Sequence, residues 1–164
     1  MSKVAAPALT KAQLIDSLAL APHPEGGYFR RTYESSQVLR GRRFMSCTHY
    51  LLTDDQPVGH LHRNRSDIVH FWQAGNALHY TLVSPEGKLL QYVLGPDIAG
   101  GEQLQLTVPG GFWKASQLLC GDFALISEAV CPGFDYDDHE MARAALIRRQ
   151  YPEHWPVLQA LCRD

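Results

Sequence analysis

Apolar and polar residues alternate with a period of two through most of the chain between residues 28 and 130. Because successive side chains of a strand point to opposite faces, this alternation is typical of strands with one buried face. Turn-forming glycine and proline residues interrupt it at a spacing of about 8–12 residues, which is typical of a β-sandwich or barrel. The clearest turn is 84–88, where Pro85 fixes φ and Gly87 permits a positive φ. The predicted strands are 28–33, 44–53, 59–63, 67–73, 77–84, 88–94, 103–108, 112–119 and 122–130.

Helical patterns flank this β region. At the N-terminal end, Thr10 and Gln13 have the spacing of a capping box, and the apolar residues that follow share one helical face until Pro22 and Pro24 end it. At the C-terminal end, Asp137 or Asp138 is placed to begin a second helix, and Tyr151-Pro152 opens a short third one.

The organisation predicted from these patterns is a single, mainly β domain with one N-terminal and one or two C-terminal helices. A chain of 164 residues is the length of one domain. We expect residues 1–9 to be a flexible N-terminus and residues 10–164 to form the domain. Within it, the barrel is expected at about 27–131 and the C-terminal helices at about 138–162.

Composition and charge exclude several classes of function. The formal net charge of -2 and the pI near 6.4 argue against nucleic-acid binding. No apolar run reaches the ~18 residues of a membrane span, and the N-terminus lacks a signal-peptide pattern, so we expect a cytoplasmic protein. Four cysteines lie far apart without a C-x-x-C pair, which favours reduced, packed thiols.

Histidine is the unusual residue type, with eight in the chain and four of them between residues 60 and 79. On a regular strand, His60 and His62 face the same side, and on the next strand His70 alternates with Trp72. Several imidazoles inside a barrel are costly to bury without a function, which predicts a ligand pocket. Three imidazoles, from His60, His62 and His70, suit a divalent metal such as Zn, Fe, Ni or Mn. His79 belongs to a different alternation and is expected at the surface.

The His-x-His pattern of Gly59-His-Leu-His62, followed by a short loop and a later Pro109-Gly-Gly111 turn, resembles the two motifs of the cupin jelly roll. In that resemblance the usual metal-binding glutamate corresponds to Ile68, and the usual second-motif histidine corresponds to Lys114. An ammonium group is not a metal ligand and repels a cation. Asp67, one residue before Ile68, faces the opposite side of a regular strand.

Four blocks together are similar to the DUF985 or cupin_5 group of the cupin superfamily. The blocks are Pro22-His-Pro-Glu-Gly-Gly-Tyr-Phe-Arg30, Gly59 to Trp72, Leu94 to Trp113, and Ala129-Val-Cys-Pro-Gly-Phe-Asp-Tyr136. The resemblance implies a double-stranded β-helix, a pocket inside the barrel and a homodimer. Members of this largely uncharacterised group are likened in shape to seed storage cupins and to nucleotide-sugar epimerases of the dTDP-rhamnose pathway, a likeness of fold and not of function.

Other side chains are expected to line the pocket. Glu25 lies in a glycine-rich turn that can bring its carboxylate over the barrel mouth, and one of Arg30 and Arg31 faces inward by alternation. The full set of expected ligand-binding residues is His60, Trp72, Lys114, Glu25, Tyr50 and Phe112.

Three functions stay open for this pocket. The first is a metal-independent isomerase or epimerase for a sugar-like, carboxylate-bearing or phosphate-bearing ligand. It would use His62 or His70 as the base, Asp67 to orient it and Lys114 to stabilise an enolate or bind phosphate. The second is a metal-dependent cupin enzyme, and the third is a non-catalytic small-molecule binding or sensing module.

Overall fold

A computed structural model describes residues 9–163, and it shows the mainly β fold that the alternation predicts. The helices are α1 (Lys11–Ser17), α2 (Ala144–Gln150) and α3 (Trp155–Leu158), with 3-10 turns at Tyr136–Asp138 and Gln159–Leu161. The strands are β1 (Ala21–Pro22), β2 (Tyr28–Glu34), β3 (Val38–Leu39), β4 (Arg42–Arg43), β5 (Ser46–Thr53), β6 (Val58–Arg63), β7 (Asp67–Gly75), β8 (Leu78–Val83), β9 (Leu89–Leu94), β10 (Gln105–Val108), β11 (Trp113–Gln117), β12 (Phe123–Cys131) and β13 (Glu140–Met141).

The strands form two facing antiparallel sheets. One sheet has the order β1-β2-β5-β12-β7-β10 and the other β13-β6-β11-β8-β9, while β3 and β4 make a separate hairpin. Strands β5 to β8 therefore cross from one sheet to the other at each step, which is the connectivity of a jelly roll. The expected double-stranded β-helix is confirmed.

Apolar side chains fill three layers. The largest lies between the sheets and includes Leu52, Leu82 and Ile126. Outside the six-stranded sheet, Leu14 of α1 packs with Leu51. Outside the five-stranded sheet, a third cluster joins the C-terminal helices to the barrel through Leu61, Trp113, Ala115, Ala142, Ile147, Leu158 and Leu161. The helices thus cover the outer faces of the barrel and leave its interior to β-strand side chains.

A β-bulge in β6 changes which way its histidines point. Lys114 of β11 pairs with His62, and Ser116 of β11 pairs with Gly59. Two residues along β11 therefore correspond to three along β6, so β6 contains one extra residue. His60 and Leu61 consequently both point outward. Leu61 packs with the helical cluster, and His60 Nδ1 lies 3.3 Å from the backbone oxygen of Leu161. The expectation that His60 and His62 share a face is wrong for this reason.

The chain after the barrel also differs from the expected helix at Asp137 or Asp138. The side chain of Asp135 accepts a hydrogen bond from the Asp137 backbone at 3.0 Å and caps only a 3-10 turn. Glu140 and Met141 then pair with Arg63 and His62 of β6, and an extended strand cannot also be helical. Helix α2 therefore begins at Ala144, and His139 is held between the 3-10 turn and β13.

The N-terminal helix has the predicted start and an earlier end. The Thr10 side chain and the Gln13 side chain form the reciprocal capping-box contacts. The helix ends at Ser17 because Ala19 adopts a positive φ of 50°, and Ala21–Pro22 pairs with β2 as a short strand. The predicted flexible segment 1–9 lies outside the described residues except for Leu9.

Candidate functional site

The two sheets enclose a narrow cavity of about 30 Å³ that opens at one end of the barrel. Its apolar wall comes from Phe29, Ile68, Val130 and Phe134. Its polar lining includes Glu25, Arg31, Tyr50, His62, Lys114 and Glu128. Acidic and basic groups therefore face each other across this narrow space.

Lys114 and Glu128 line the inner part of this cavity, and His70 lies behind them beside a smaller adjoining void; we call these three side chains the Lys114 cluster. Lys114 of β11 extends toward the opposite sheet, where its Nζ lies 3.2 Å from His70 Nε2 and 3.6 Å from Glu128 Oε1. His70 Nδ1 lies 3.1 Å from the same carboxylate oxygen, and Tyr80 Oη lies 3.3 Å from that nitrogen. Both His70 and Lys114 are buried. The pairing of the ammonium with a carboxylate explains how a lysine is tolerated inside the barrel.

The proton positions in the Lys114 cluster follow from these contacts. Burial first, and then the charge of Lys114, lower the pKa of His70, so this imidazole is neutral at pH 7. Because Lys114 can only donate, His70 Nε2 carries the lone pair, and Nδ1–H donates to Glu128. Burial opposes ionisation of Glu128, but Lys114 and His70 outweigh it and hold the pKa of this carboxyl well below its usual range.

A second group, the Glu25 cluster, lies nearer the mouth and contains Glu25, His62 and His139. Glu25 comes from the turn before β2, where Gly26 and Gly27 have positive φ and a Cβ on either would touch backbone oxygens. Its Oε1 lies 2.7 Å from His139 Nε2 and 3.2 Å from His62 Nε2. The sheet, the N-terminal turn and the C-terminal segment thus each contribute one side chain.

The charges in the Glu25 cluster are set by burial and by the attraction between the carboxylate and the two imidazoles. Burial opposes ionisation of Glu25, but attraction to His62, which is protonated in the acid range where Glu25 titrates, and the hydrogen bond from His139 lower its pKa to about 2, so it is a carboxylate at neutral pH. Burial lowers the pKa of His62 to about 4, which leaves this imidazole neutral. His62 Nδ1 lies 2.6 Å from the backbone oxygen of His60, so the proton is on Nδ1 and the lone pair is on Nε2.

The other expected pocket residues are divided between the cavity and its surroundings. Tyr50 lines the cavity, and its hydroxyl donates to the backbone oxygen of Gly26 at 2.8 Å. Trp72 and Phe112 are partly buried against the apolar core between the sheets. Asp67 is exposed and accepts a hydrogen bond from the Gly110 backbone at 2.7 Å, so it holds a turn and does not reach His62 or His70.

Four ionisable residues of the site were not singled out from the sequence. Glu128 had a usable signal, because it interrupts the inward-facing apolar series Ala124, Ile126 and Val130. The same alternation places Tyr80 between Leu78 and Leu82. His23 and His139 lie in loops, where no hydrophobic period indicates the direction of a side chain.

The residues do not fit the metal site that the cupin resemblance implies. His60 lies outside the barrel, an apolar Ile68 occupies the expected glutamate position, and Lys114 occupies the expected histidine position. Of the imidazoles expected together, the structure brings only His62 and His70 to the interior. The set His60, His62 and His70 therefore does not converge on one ion.

We expect the free energy of unfolding to fall as the pH is lowered from 7 to 5. Folding lowers the pKa of His70 from its ordinary 6.5, with Lys114, Glu128 and Tyr80 as the groups that face it. The unfolded chain then binds more protons, so this stability is present above about 6.5 and is lost as the pH falls. Urea unfolding at pH 7, 6 and 5 measures the slope, which should be shallower for His70→Gln. Equal slopes for the two proteins would contradict the assignment.

No helix among residues 9–163 is long and apolar enough to cross a membrane. Residues 12–142 match the family model Cupin_5, described as cupin superfamily (DUF985). An uncharacterized protein of Saccharomyces cerevisiae is 38% identical, covering 77% of this chain and 72% of the yeast protein.

Solved structures show the same relationship. A protein from Shewanella oneidensis is 34% identical with a TM-score of 0.90, covering 95% of this chain and 99% of that one. A hypothetical protein from Leishmania major is 30% identical with a TM-score of 0.88, covering 95% of this chain and 100% of that one. Oxalate decarboxylase from Bacillus subtilis, at 15% identity and a TM-score of 0.55 over 85% of this chain and 36% of that one, shares the fold alone. With the family model matching most of its length, this chain belongs to the Cupin_5 (DUF985) family of the cupin superfamily.

Proposed function

We propose that the barrel cavity binds a small polar molecule and moves a proton on the carbon next to its carbonyl or carboxylate group, as an isomerase or epimerase does. The observation that supports this most is the Lys114 cluster, in which a neutral imidazole is held between a carboxylate and an ammonium. A base and a cation side by side are what removal of such a proton requires.

His70 is the base in this proposal. Its burial keeps the imidazole neutral at pH 7, and Glu128, 3.1 Å from Nδ1, stabilises the imidazolium that forms when Nε2 takes a proton. Glu128 also fixes the tautomer, because Nδ1–H donates to it and the lone pair remains on Nε2.

Lys114 supplies the cation. In the structure its ammonium donates to His70 Nε2 at 3.2 Å. When a carbonyl oxygen of the substrate accepts the hydrogen bond from Lys114, Lys114 no longer donates to His70. The lone pair on His70 Nε2 is then free to take the proton from the carbon next to the carbonyl. The C–H electron pair then moves toward the oxygen, giving an enolate that Lys114 neutralises. When the carbon that lost its proton carries a hydroxyl group, the hydroxyl proton passes to the enolate oxygen, and His70 returns its proton to the former carbonyl carbon, which gives the isomeric carbonyl compound.

The shape and charge of the cavity favour an anionic or sugar-like substrate. The cavity has a volume of about 30 Å³, room for one or two water molecules, so the side chains at its mouth must move apart to admit a substrate, which must itself be small. Arg31 lies on the lining of the same cavity as Lys114, which provides a second cation for a carboxylate or phosphate on the substrate. Its guanidinium is oriented by Glu34, with Nη1 2.6 Å from Oε2.

Loss of C–H protons to deuterium tests the proposal. The protein is incubated in D2O with 2-oxo acids, hydroxyketones and aldoses, with and without phosphate, and the C–H signals are followed by NMR. For a compound that exchanges, His70→Asn should slow exchange by about 100-fold or more, because general base catalysis contributes that much. His79→Asn, a matched change on the outer face of β8, should leave the rate unchanged.

Thermal-shift measurements with the same compounds separate the remaining outcomes. A compound that raises the melting temperature but never exchanges a proton would make the protein a binding or sensing module and would overturn the catalytic proposal. Equal exchange rates for wild type and His70→Asn would also overturn it, since the base would then be another group.

A further inference from the structure

The Glu25 cluster has the composition and the spacing of a transition-metal site, although it uses different residues from the expected His60, His62 and His70. The donor atoms of Glu25, His62 and His139 all lie within 4.8 Å of one another. An ion with ~2.0–2.2 Å bonds holds its neighbouring ligand atoms roughly 3–4 Å apart. The observed 2.7 Å and 3.2 Å contacts to Glu25 need only a small outward movement to admit one.

His62 gives an independent indication that this cluster can accept a cation. Its side chain is 4% exposed, and Nε2 has no hydrogen-bond partner within the part of the chain that the structure describes. This nitrogen faces the Glu25 carboxylate across 3.2 Å without the geometry of a hydrogen bond. A buried polar atom left in this way is costly, and a cation between the two groups would remove the cost.

The other nitrogen of His62 is bound as it is in metal-binding histidines. Such imidazoles donate the second N–H to a backbone carbonyl or a carboxylate, which fixes the ring and the tautomer. Here Nδ1 lies 2.6 Å from the backbone oxygen of His60, a contact that the bulge in β6 creates. Glu25 is also positioned, because its backbone N–H donates to His23 Nδ1 at 3.1 Å.

We propose that Glu25, His62 and His139 bind one divalent transition-metal ion of the Zn²⁺ class at the mouth of the barrel cavity. Two imidazoles and one carboxylate form a donor set that such ions use in proteins, and three protein ligands leave positions open toward the cavity. Imidazole nitrogens also disfavour Mg²⁺ and Ca²⁺, which prefer oxygen ligands.

The charges and protons of the neighbouring groups are compatible with this ion. Lys114, a buried cation that lines the same cavity, is paired with Glu128, so the Glu25 carboxylate is available to the metal. His139 Nε2 donates to Glu25 in the metal-free chain, and metal binding requires the tautomer that carries its proton on Nδ1. The site uses none of the Lys114 cluster, so it does not depend on the proposed proton transfer.

Metal titration tests the site directly. Protein without a His-tag is freed of metal with a chelator and titrated with Zn²⁺ by calorimetry and with Co²⁺ by visible absorption. We expect one ion per chain and a higher melting temperature with Zn²⁺. Loss of a residue that only hydrogen-bonds to a metal ligand weakens metal binding by ~10–100-fold. Glu25→Gln and His139→Gln remove a ligand itself, so each should weaken binding by more than that. His79→Gln is the matched control and should bind as wild type does.

Two results would overturn the metal site. One is Zn²⁺ bound at under 0.1 per chain, and the other is equal affinity in wild type, Glu25→Gln and His139→Gln. Unfolding of each metal-free variant is measured first to show that it folds. The test uses His139→Gln because a substitution of the more deeply buried His62 is more liable to prevent folding. The metal titration needs no substrate. A failure to bind metal therefore does not contradict the proposed proton transfer, and a failure to exchange protons does not contradict the metal site.

Discussion

Replacing Glu128 with leucine is expected to destabilise the protein by about 3–5 kcal/mol at pH 7, because it removes the acceptor from a buried ion pair. Lys114 Nζ lies 3.6 Å and His70 Nδ1 3.1 Å from Glu128 Oε1, and the Glu128 side chain is 18% exposed. After the change, an ammonium and an imidazole N–H stay inside the barrel without the carboxylate. Urea unfolding monitored by tryptophan fluorescence measures the loss.

Two further variants separate the ion pair from simple packing. The double variant Lys114→Met with Glu128→Leu removes both charges and should recover part of the loss, since a buried pair replaced by apolar groups is often nearly neutral. Glu128→Gln keeps an oxygen acceptor for His70 Nδ1–H and should cost less than Glu128→Leu. A loss below about 1 kcal/mol for Glu128→Leu would show that water compensates the Lys114 ammonium.

The fold was predictable because its signals are local. Alternation along 46–53 or 78–83 requires no knowledge of which strand is the neighbour, and turns such as 84–88 are specified by their own residues. Two short strands were not predicted, because their sequences show no alternation of apolar and polar residues. They are Ala21–Pro22 and Glu140–Met141, which are extended because they pair with β2 and β6. The homodimer and the cytoplasmic location stay predictions.

The site was only partly predictable because it depends on pairing between distant segments. Inward positions for His70 and Lys114 follow from alternation on their own strands. The outward turn of His60 does not, since a bulge in β6 is defined only by its register with β11. Glu25 was identified from its glycine-rich turn, but His139, which completes the cluster, lies in a loop whose path depends on β13.

Trp113→Ala is expected to destabilise the protein by about 3–5 kcal/mol, the range for removing a large aromatic side chain from a core. Trp113 is 1% exposed and packs in the cluster that joins the C-terminal helices to the barrel. The guanidinium of Arg63 lies 4.5 Å from the centre of the Trp113 ring and donates to Glu140 at 2.8 Å. Removing the ring therefore leaves a cavity and also takes away the surface on which Arg63 holds β13. Urea unfolding measures the change.

Trp113→Phe is the matched control, and it should cost clearly less than Trp113→Ala. Phenylalanine retains an aromatic ring under Arg63, and it removes an indole Nε1–H that is buried with no acceptor within residues 9–163. Equal losses for the two variants would show that the indole fits its site too closely for any smaller ring. Because Trp113 points outward from β11 and Lys114 points inward, the same strand connects the helical layer to the floor of the cavity. Trp113→Ala should therefore also slow proton exchange in the cavity, whereas Trp113→Phe should retain most of it.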